Sequence, residues 1–324
     1  MEEIVLENSS PKKDNRLTRE KKRLIFYVLM LILPLAQFLI FYVYVNISSI
    51  LLGFQKYTEK AGSIGYDITF TWDNYIYVFN FLAKPHNLPL ITNSLIYFVI
   101  HLGIGTTLAL VFSYYIYKQY ALSQLFRVIL FLPQVISGLV LSLLFNYIVE
   151  DVYVSIFNLP KNQGLMTNPD TQLGALIFYN LWLGFGTNIL LYCGAMSGID
   201  PSITEASELD GVNVIQEFFY ITFPMIFSTF TTFIIANVAS MFTQTLHLYT
   251  IYASNAPDAM RTLGYHIQIS TLNAGLAGSN SSNPNIPYFS HPQLSALGLI
   301  ITLVMLPITF GIRAMLERFG PSVN

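Results

Sequence analysis

Residues 205–217, EASELDGVNVIQE, hold four carboxylates, Glu205, Glu208, Asp210 and Glu217, and no Lys or Arg. Acids so placed cap helices, keep a loop soluble or meet a basic partner. A second set of polar side chains, Asn180, Asn188, Asn237 and Gln244, interrupts two apolar stretches. Such amides either hydrogen-bond between packed helices or recognise the hydroxyls of a solute. An enzyme site would need His, Asp, Glu or Cys to converge. His101 and Cys193 have no partner at motif spacing, so packing is expected of both. No Gly-Lys pair occurs, which excludes a G-x-x-x-x-G-K-[ST] phosphate loop and sends any ATP chemistry to another chain. No catalytic residue, metal site or nucleic-acid contact is expected.

The elements that carry these residues are built for lipid. Of the 324 residues, 53% are hydrophobic and only 10% charged, against about a quarter charged in soluble domains. Crossing a hydrocarbon core takes about 20 apolar helical residues. Six windows meet that length, at about 24–45, 94–117, 128–149, 174–195, 226–245 and 294–312. The fourth and fifth carry the amides and are expected to face protein or water on part of their surface. The fold class is an all-α polytopic membrane protein with six transmembrane helices.

Orientation follows from the basic residues. Lys12, Lys13, Arg16, Arg19, Lys21, Lys22 and Arg23 precede the first window, Lys118 and Arg127 flank the second connection, and Arg313 and Arg318 follow the last window. These are eleven of the sixteen Lys and Arg residues, and such an excess marks the cytoplasmic side. Six crossings place both ends there. The expected divisions are a basic cytoplasmic segment 1–23, disordered up to the membrane, a transmembrane domain 24–316 and a cytoplasmic tail 317–324. The first apolar run is 22 residues with no small-residue cleavage site closely after it, too long for a secretory signal core.

The carboxylates lie in the cytoplasmic connection 198–223. Ser202 and Glu205 have the spacing of a capping box, predicting a helix that runs to Leu209 or Asp210 and stops at Gly211 in the left-handed C′ position. Asn213 and Gln216 mark a second helix, which Pro224 kinks or ends. The apolar Ile203, Ala206, Leu209 and Val212 require a cover. Most of the acids are expected on wet faces, and Glu205 either caps its own helix or meets a partner. The outer loops 46–93 and 246–293 are long enough to be functional or partly folded.

Glu205-Ala206-Ser207, three residues, Gly211, nine residues, then Ile221-Thr222-Phe223-Pro224 resembles the E-A-A-x3-G-x9-I-x-L-P signature of ABC importer permeases. Ser207 replaces the second alanine and Phe223 the leucine. Arg127 to Gly138, RVILFLPQVISG, is similar to the R-x-x-x-x-L-P-x-x-I-S segment of carbohydrate permeases of the maltose and glycerol-3-phosphate group. Thr71 to Tyr75 resembles that group's L-x-N-Y with Trp72 for leucine, and Asn93-Ser94-Leu95 its N-T-L. The G-G-P after the fifth span is absent; Asn255-Ala256-Pro257 keeps only the proline.

The resemblance implies a type I ABC importer permease fold in the bacterial cytoplasmic membrane. It also implies ABC ATPase subunits that hold the ATP and Mg, a second and different permease, and an extracytoplasmic solute-binding protein. Glu205, Ala206, Ser207, Gly211, Ile221 and Pro224 become the ATPase-coupling residues. Asn180, Asn188, Asn237 and Gln244 become candidates for the pathway of a sugar or oligosaccharide. A glycerol phosphate is the alternative solute. An ion-coupled secondary transporter is the alternative class, disfavoured because the six window interiors lack Asp, Glu, Lys and Arg.

Overall fold

The computed structural model describes residues 16–59, 66–274 and 287–321. The expected disorder before Arg16, the Gly/Ser/Asn-rich stretch 275–286 and the last three residues lie outside the described residues. Residues 1–52 and 53–324 form two units.

In the first unit the apolar run makes one continuous helix, α1 (Arg19–Gly53). Pro34 lies inside it, and a π-helical turn occupies Phe38–Tyr44. From Leu24 to Tyr44 its large apolar side chains, apart from the half-buried Val43, are exposed. A helix that is apolar all round requires lipid or protein about it.

The second unit opens with an antiparallel hairpin, β1 (Gln55–Glu59) and β2 (Tyr66–Phe70), in which Gln55 pairs with Phe70 and Glu59 with Tyr66. The buried Asn74 amide donates to the carbonyls of Gly53 and Gln55 at 3.0 and 2.9 Å, fastening α2 (Asp73–Ala83) to the strand. Then follow α3 (Pro85–Tyr117), α4 (Ser123–Val135), α5 (Gly138–Ile156), α6 (Gln172–Met196) and α7 (Pro201–Leu209). The pair α8 (Val214–Met225) and α9 (Phe227–Ala239), α10 (Leu248–Tyr252), α11 (Leu263–Leu272) and α12 (His291–Arg318) complete the unit. Among the described residues α1, α3, α5, α6 and α12 are long and apolar enough to cross a membrane, and the pair α8–α9, bent by 70°, makes six.

Two expected spans differ from the sequence reading. The window 128–149 is not one helix: Ile136 and Ser137 are extended, with ψ of 142° and 127°, between α4 and α5. Pro133 has already withdrawn one N–H from the last turn of α4, and Gly138 restarts the helix. The window 226–245 is helical only to Ala239. Leu246 and His247 then both take left-handed backbone, with φ of 54° and 56°. Such residues persist only where the surroundings hold them, and here they turn the chain back across α6.

The core lies around α6. α6 packs on α3 and on α4, and Gly186 permits the second approach. A Cβ there would stand 2.9 Å from the Leu130 carbonyl oxygen and 3.0 Å from the Phe131 Cα. One apolar cluster joins α5, α6, α10 and α11 through Leu141, Phe145, Tyr179, Leu248 and Tyr265. Another joins the end of α3 to α6 and Ile226 through Leu110, Tyr114, Tyr192 and Met196. A third packs α2 on α12 through Val78, Phe81 and Leu297.

Candidate functional site

The connection between α6 and α9 folds as two helices about a glycine turn. Asp200 is the N-cap of α7: its Oδ1 accepts from the Ser202 N–H at 2.9 Å, which holds the Asp200 carboxyl below its usual range. The expected Ser202/Glu205 capping box therefore does not form. The reason is local: Pro201 has no N–H to satisfy and its fixed φ suits the first helical position, so the helix starts two residues earlier than expected. Glu205 is consequently an interior residue of α7, exposed and free of cap duty.

Ala206 is exposed beside it, while Ser207 is buried and donates to the Thr204 carbonyl at 2.7 Å. Gly211 has φ of 75°, which suits glycine at a helix C′ position. Asn213 and Gln216 form the expected capping box at the start of α8. Ile221 and Pro224 are half-buried, and the bend at Ile226 follows within two residues of Pro224. Within this chain Ile203, Ala206 and Leu209 remain uncovered, and Leu209 is 90% exposed.

Glu217 departs from the expectation that most of the acids are wet. It is buried, and its Oε1 stands 2.7 Å from Lys118 Nζ at the end of α3. The same ammonium lies 3.3 Å from Oε1 of the exposed Glu208 on α7. Partial burial works against the charge of Lys118, but its bonds to Glu217 and Glu208 prevail and hold it above the ordinary lysine range. Tyr114 adds a hydrogen bond to the Val214 carbonyl at 3.2 Å and an edge contact to Phe218. The one sequence signal for this site is an acid set in an apolar run, IQEFFYITF. Nothing local names its partner.

A second site is a cavity of about 460 Å³ between α3, α4, α6 and α9. Asn180, Asn188, Asn237 and Gln244 all line it. Three spend donors on nearby backbone or hydroxyls. Asn180 is buried and donates to the carbonyls of Leu176 and Leu246 at 2.9 and 3.1 Å, so it ties α6 to the left-handed turn. Asn237 donates to the Phe233 carbonyl at 2.9 Å and Gln244 to Ser240 Oγ at 3.2 Å. Asn188 is half-buried on the cavity wall. The interhelical reading thus fits Asn180, and the others keep acceptor capacity for a bound hydroxyl.

Among the polar lining residues, sequence reasoning missed Tyr97, Gln134, Thr187 and His247. Gln134 immediately follows Pro133 in the quoted segment and donates to the Leu183 carbonyl. His101, expected to pack, stacks on Tyr97 with centroids 5.6 Å apart and also faces the cavity. Cys193 is buried in the α3–α6 cluster and donates to the Ser113 carbonyl.

The family model of binding-protein-dependent transport system inner membrane components matches residues 101–324. The maltose/maltodextrin transport system permease protein MalF of Klebsiella aerogenes is 27% identical over 210 residues, 62% of this chain and 40% of the relative. The MalF of Escherichia coli K12 is 27% identical over 63% of this chain and 41% of its own length. A probable ABC transporter permease protein of Mycoplasma genitalium is 28% identical over 58% and 60%. The chain thus spans about two-fifths of the length of the MalF relatives. Among solved structures, a chain of a bacterial ABC transporter involved in import of the acidic polysaccharide alginate superposes with a TM-score of 0.69 at 20% identity. It covers 94% of this chain and 99% of that one. A chain of the alginate transporter in complex with alginate pentasaccharide-bound periplasmic protein gives 0.71 at 17% identity, covering 94% and 98%.

Proposed function

The chain belongs to the family of binding-protein-dependent transport system inner membrane components, and from that premise we propose that it is the permease subunit of an ATP-driven sugar or oligosaccharide importer. It is a multi-pass membrane protein and a pore-forming subunit, not an enzyme. ABC ATPase subunits hold ATP and Mg, a second and different permease completes the path, and an extracytoplasmic binding protein delivers the solute. The observation that carries the reading is the surface of α7. Ile203, Glu205, Ala206 and Leu209 stand uncovered on a short helix whose base is capped by Asp200 and whose end is turned by Gly211. An apolar helix surface that carries the Glu205 carboxylate fits a groove with a basic rim on an ATPase. Transport follows because ATP binding shifts the permease only through contacts that differ between the ATPase states.

The amides of the cavity support a carbohydrate, whose hydroxyls both donate and accept. The lining has no Lys or Arg, which favours an uncharged sugar over a glycerol phosphate.

The test is co-purification with an ATPase subunit followed by uptake into proteoliposomes. Glu205→Ala and Gly211→Pro are expected to leave the protein in the membrane and to abolish binding-protein-stimulated ATP hydrolysis. Unchanged stimulation in both variants, or full transport by the lone chain, overturns the reading.

A further inference from the structure

The two helices of the α6–α9 connection meet at a glycine, and a glycine turn by itself is a hinge. A helix docked on one side of a free hinge moves without moving anything else. Here one ammonium spans the hinge. Lys118 Nζ reaches Glu208 on α7 before Gly211 and Glu217 on α8 after it. Only the Glu217 arm is buried, and removing one partner of a buried ion pair leaves a charge uncompensated. The exposed Glu208 arm is weak by itself, and it takes its geometry from the buried one. Lys118 sits on a stiff base. The link after it runs through left-handed Gln119 and Leu122, and Tyr115 Oη donates to the Ala121 carbonyl at 2.7 Å.

The middle of α3 forms part of the cavity wall. Tyr97 and His101 line the cavity, and His101 opens a π-helical turn, His101–Gly105. The regular helix Thr106–Tyr117 runs from that turn to Lys118. At 1.5 Å per residue the distance from Tyr97 to Lys118 is about 30 Å. π-helical turns inside α-helices frequently mark functional sites. Apolar packing of Leu110 and Tyr114 on Tyr192, Met196 and Ile226 keeps the segment stiff.

We propose that Lys118 is a positioning residue that locks both arms of the α7–α8 connection to the end of α3, so that displacement of α7 reaches the cavity wall at Tyr97 through α3. The proposal rests on the importer reading, in which α7 is the ATPase contact. Without the lock, α7 still docks and ATP is still hydrolysed, but the wall no longer follows.

The experiment uses the full complex with its ATPase subunits, second permease and binding protein in proteoliposomes. The chain carries Cys193→Ala and Tyr97→Cys, and the probe is an impermeant maleimide applied with and without ATP plus vanadate. With Lys118 present, the labelling rate at position 97 is expected to change about ten-fold with ATP, within the range of coupling between sites. Lys118→Gln is expected to lose that change while retaining ATPase co-purification and hydrolysis, and Lys118→Arg to recover it. Should Lys118→Gln fail to assemble, the double variant Lys118→Leu/Glu217→Gln removes the charges together and is expected to assemble without the ATP-dependent change. An ATP-dependent change of full size in either uncoupled variant overturns the proposal. Absence of an ATPase subunit from the complex of the unaltered chain overturns the importer reading, and the role of Lys118 with it.

Discussion

Leu209 and Asp200 separate stability from contact at the level of single residues. Leu209 is 90% exposed at the end of α7, so Leu209→Asp is expected to change stability by less than about 0.5 kcal/mol. Thermal unfolding of the detergent-solubilised protein checks that, and pull-down by the ATPase is expected to fail. Asp200 works on the helix instead. Its carboxyl is held below the ordinary range by the Ser202 N–H, so the cap is in place above the unfolded pKa and is lost as pH falls through the lowered folded value. Asp200→Ala is expected to weaken ATPase binding, whereas Asp200→Asn keeps an acceptor and retains it. Titration of ATPase binding to the two variants distinguishes them.

At the level of elements, α6 is the part on which both sites depend. It carries Asn180 and Asn188 in the cavity wall and Tyr192 and Met196 against the end of α3. Gly186 sets its distance from α4, because a side chain there meets backbone atoms of Leu130 and Phe131 that have no rotamer to yield. Gly186→Leu is expected to cost about 1–3 kcal/mol as overpacking and to lower the melting temperature of the solubilised protein. The break between α4 and α5 and the end of α9 at Ala239 show the other side of helix building. Both lie inside apolar runs whose composition alone permits a continuous span. Backbone interrupted at membrane depth is tolerated where protein or a cavity surrounds it, and Ile136 and Gln244 both line the cavity.

For the whole molecule, the distribution of Lys and Arg predicts which face is cytoplasmic. With Cys193 replaced, a single cysteine at Ser202 is expected to react with an impermeant maleimide only in permeabilised cells, and one at Ser155, at the outer end of α5, in intact cells. Reaction at Ser202 in intact cells inverts the topology and removes α7 from reach of an ATPase. The exposed apolar faces of α1 and α12 are what a chain with this topology presents to lipid.

The sequence by itself determined the membrane class, the number of apolar runs and the helix–glycine–helix form of the 198–223 connection. These are written locally: a span needs about 20 apolar residues in succession, and a cap, a C′ glycine or a proline acts within one turn. Even there the start of α7 was misplaced, because Asp200 and Pro201 outcompete Ser202 for the first turn. Tertiary structure decided the rest. It brought Asn180, Asn188, Asn237 and Gln244 to one cavity and committed the first of them to the Leu246 carbonyl. It also turned Glu217 from a wet acid into the buried partner of Lys118. The side-chain types admit either outcome. Which one occurs depends on what packs beside them, and that neighbour comes from another helix far along the chain.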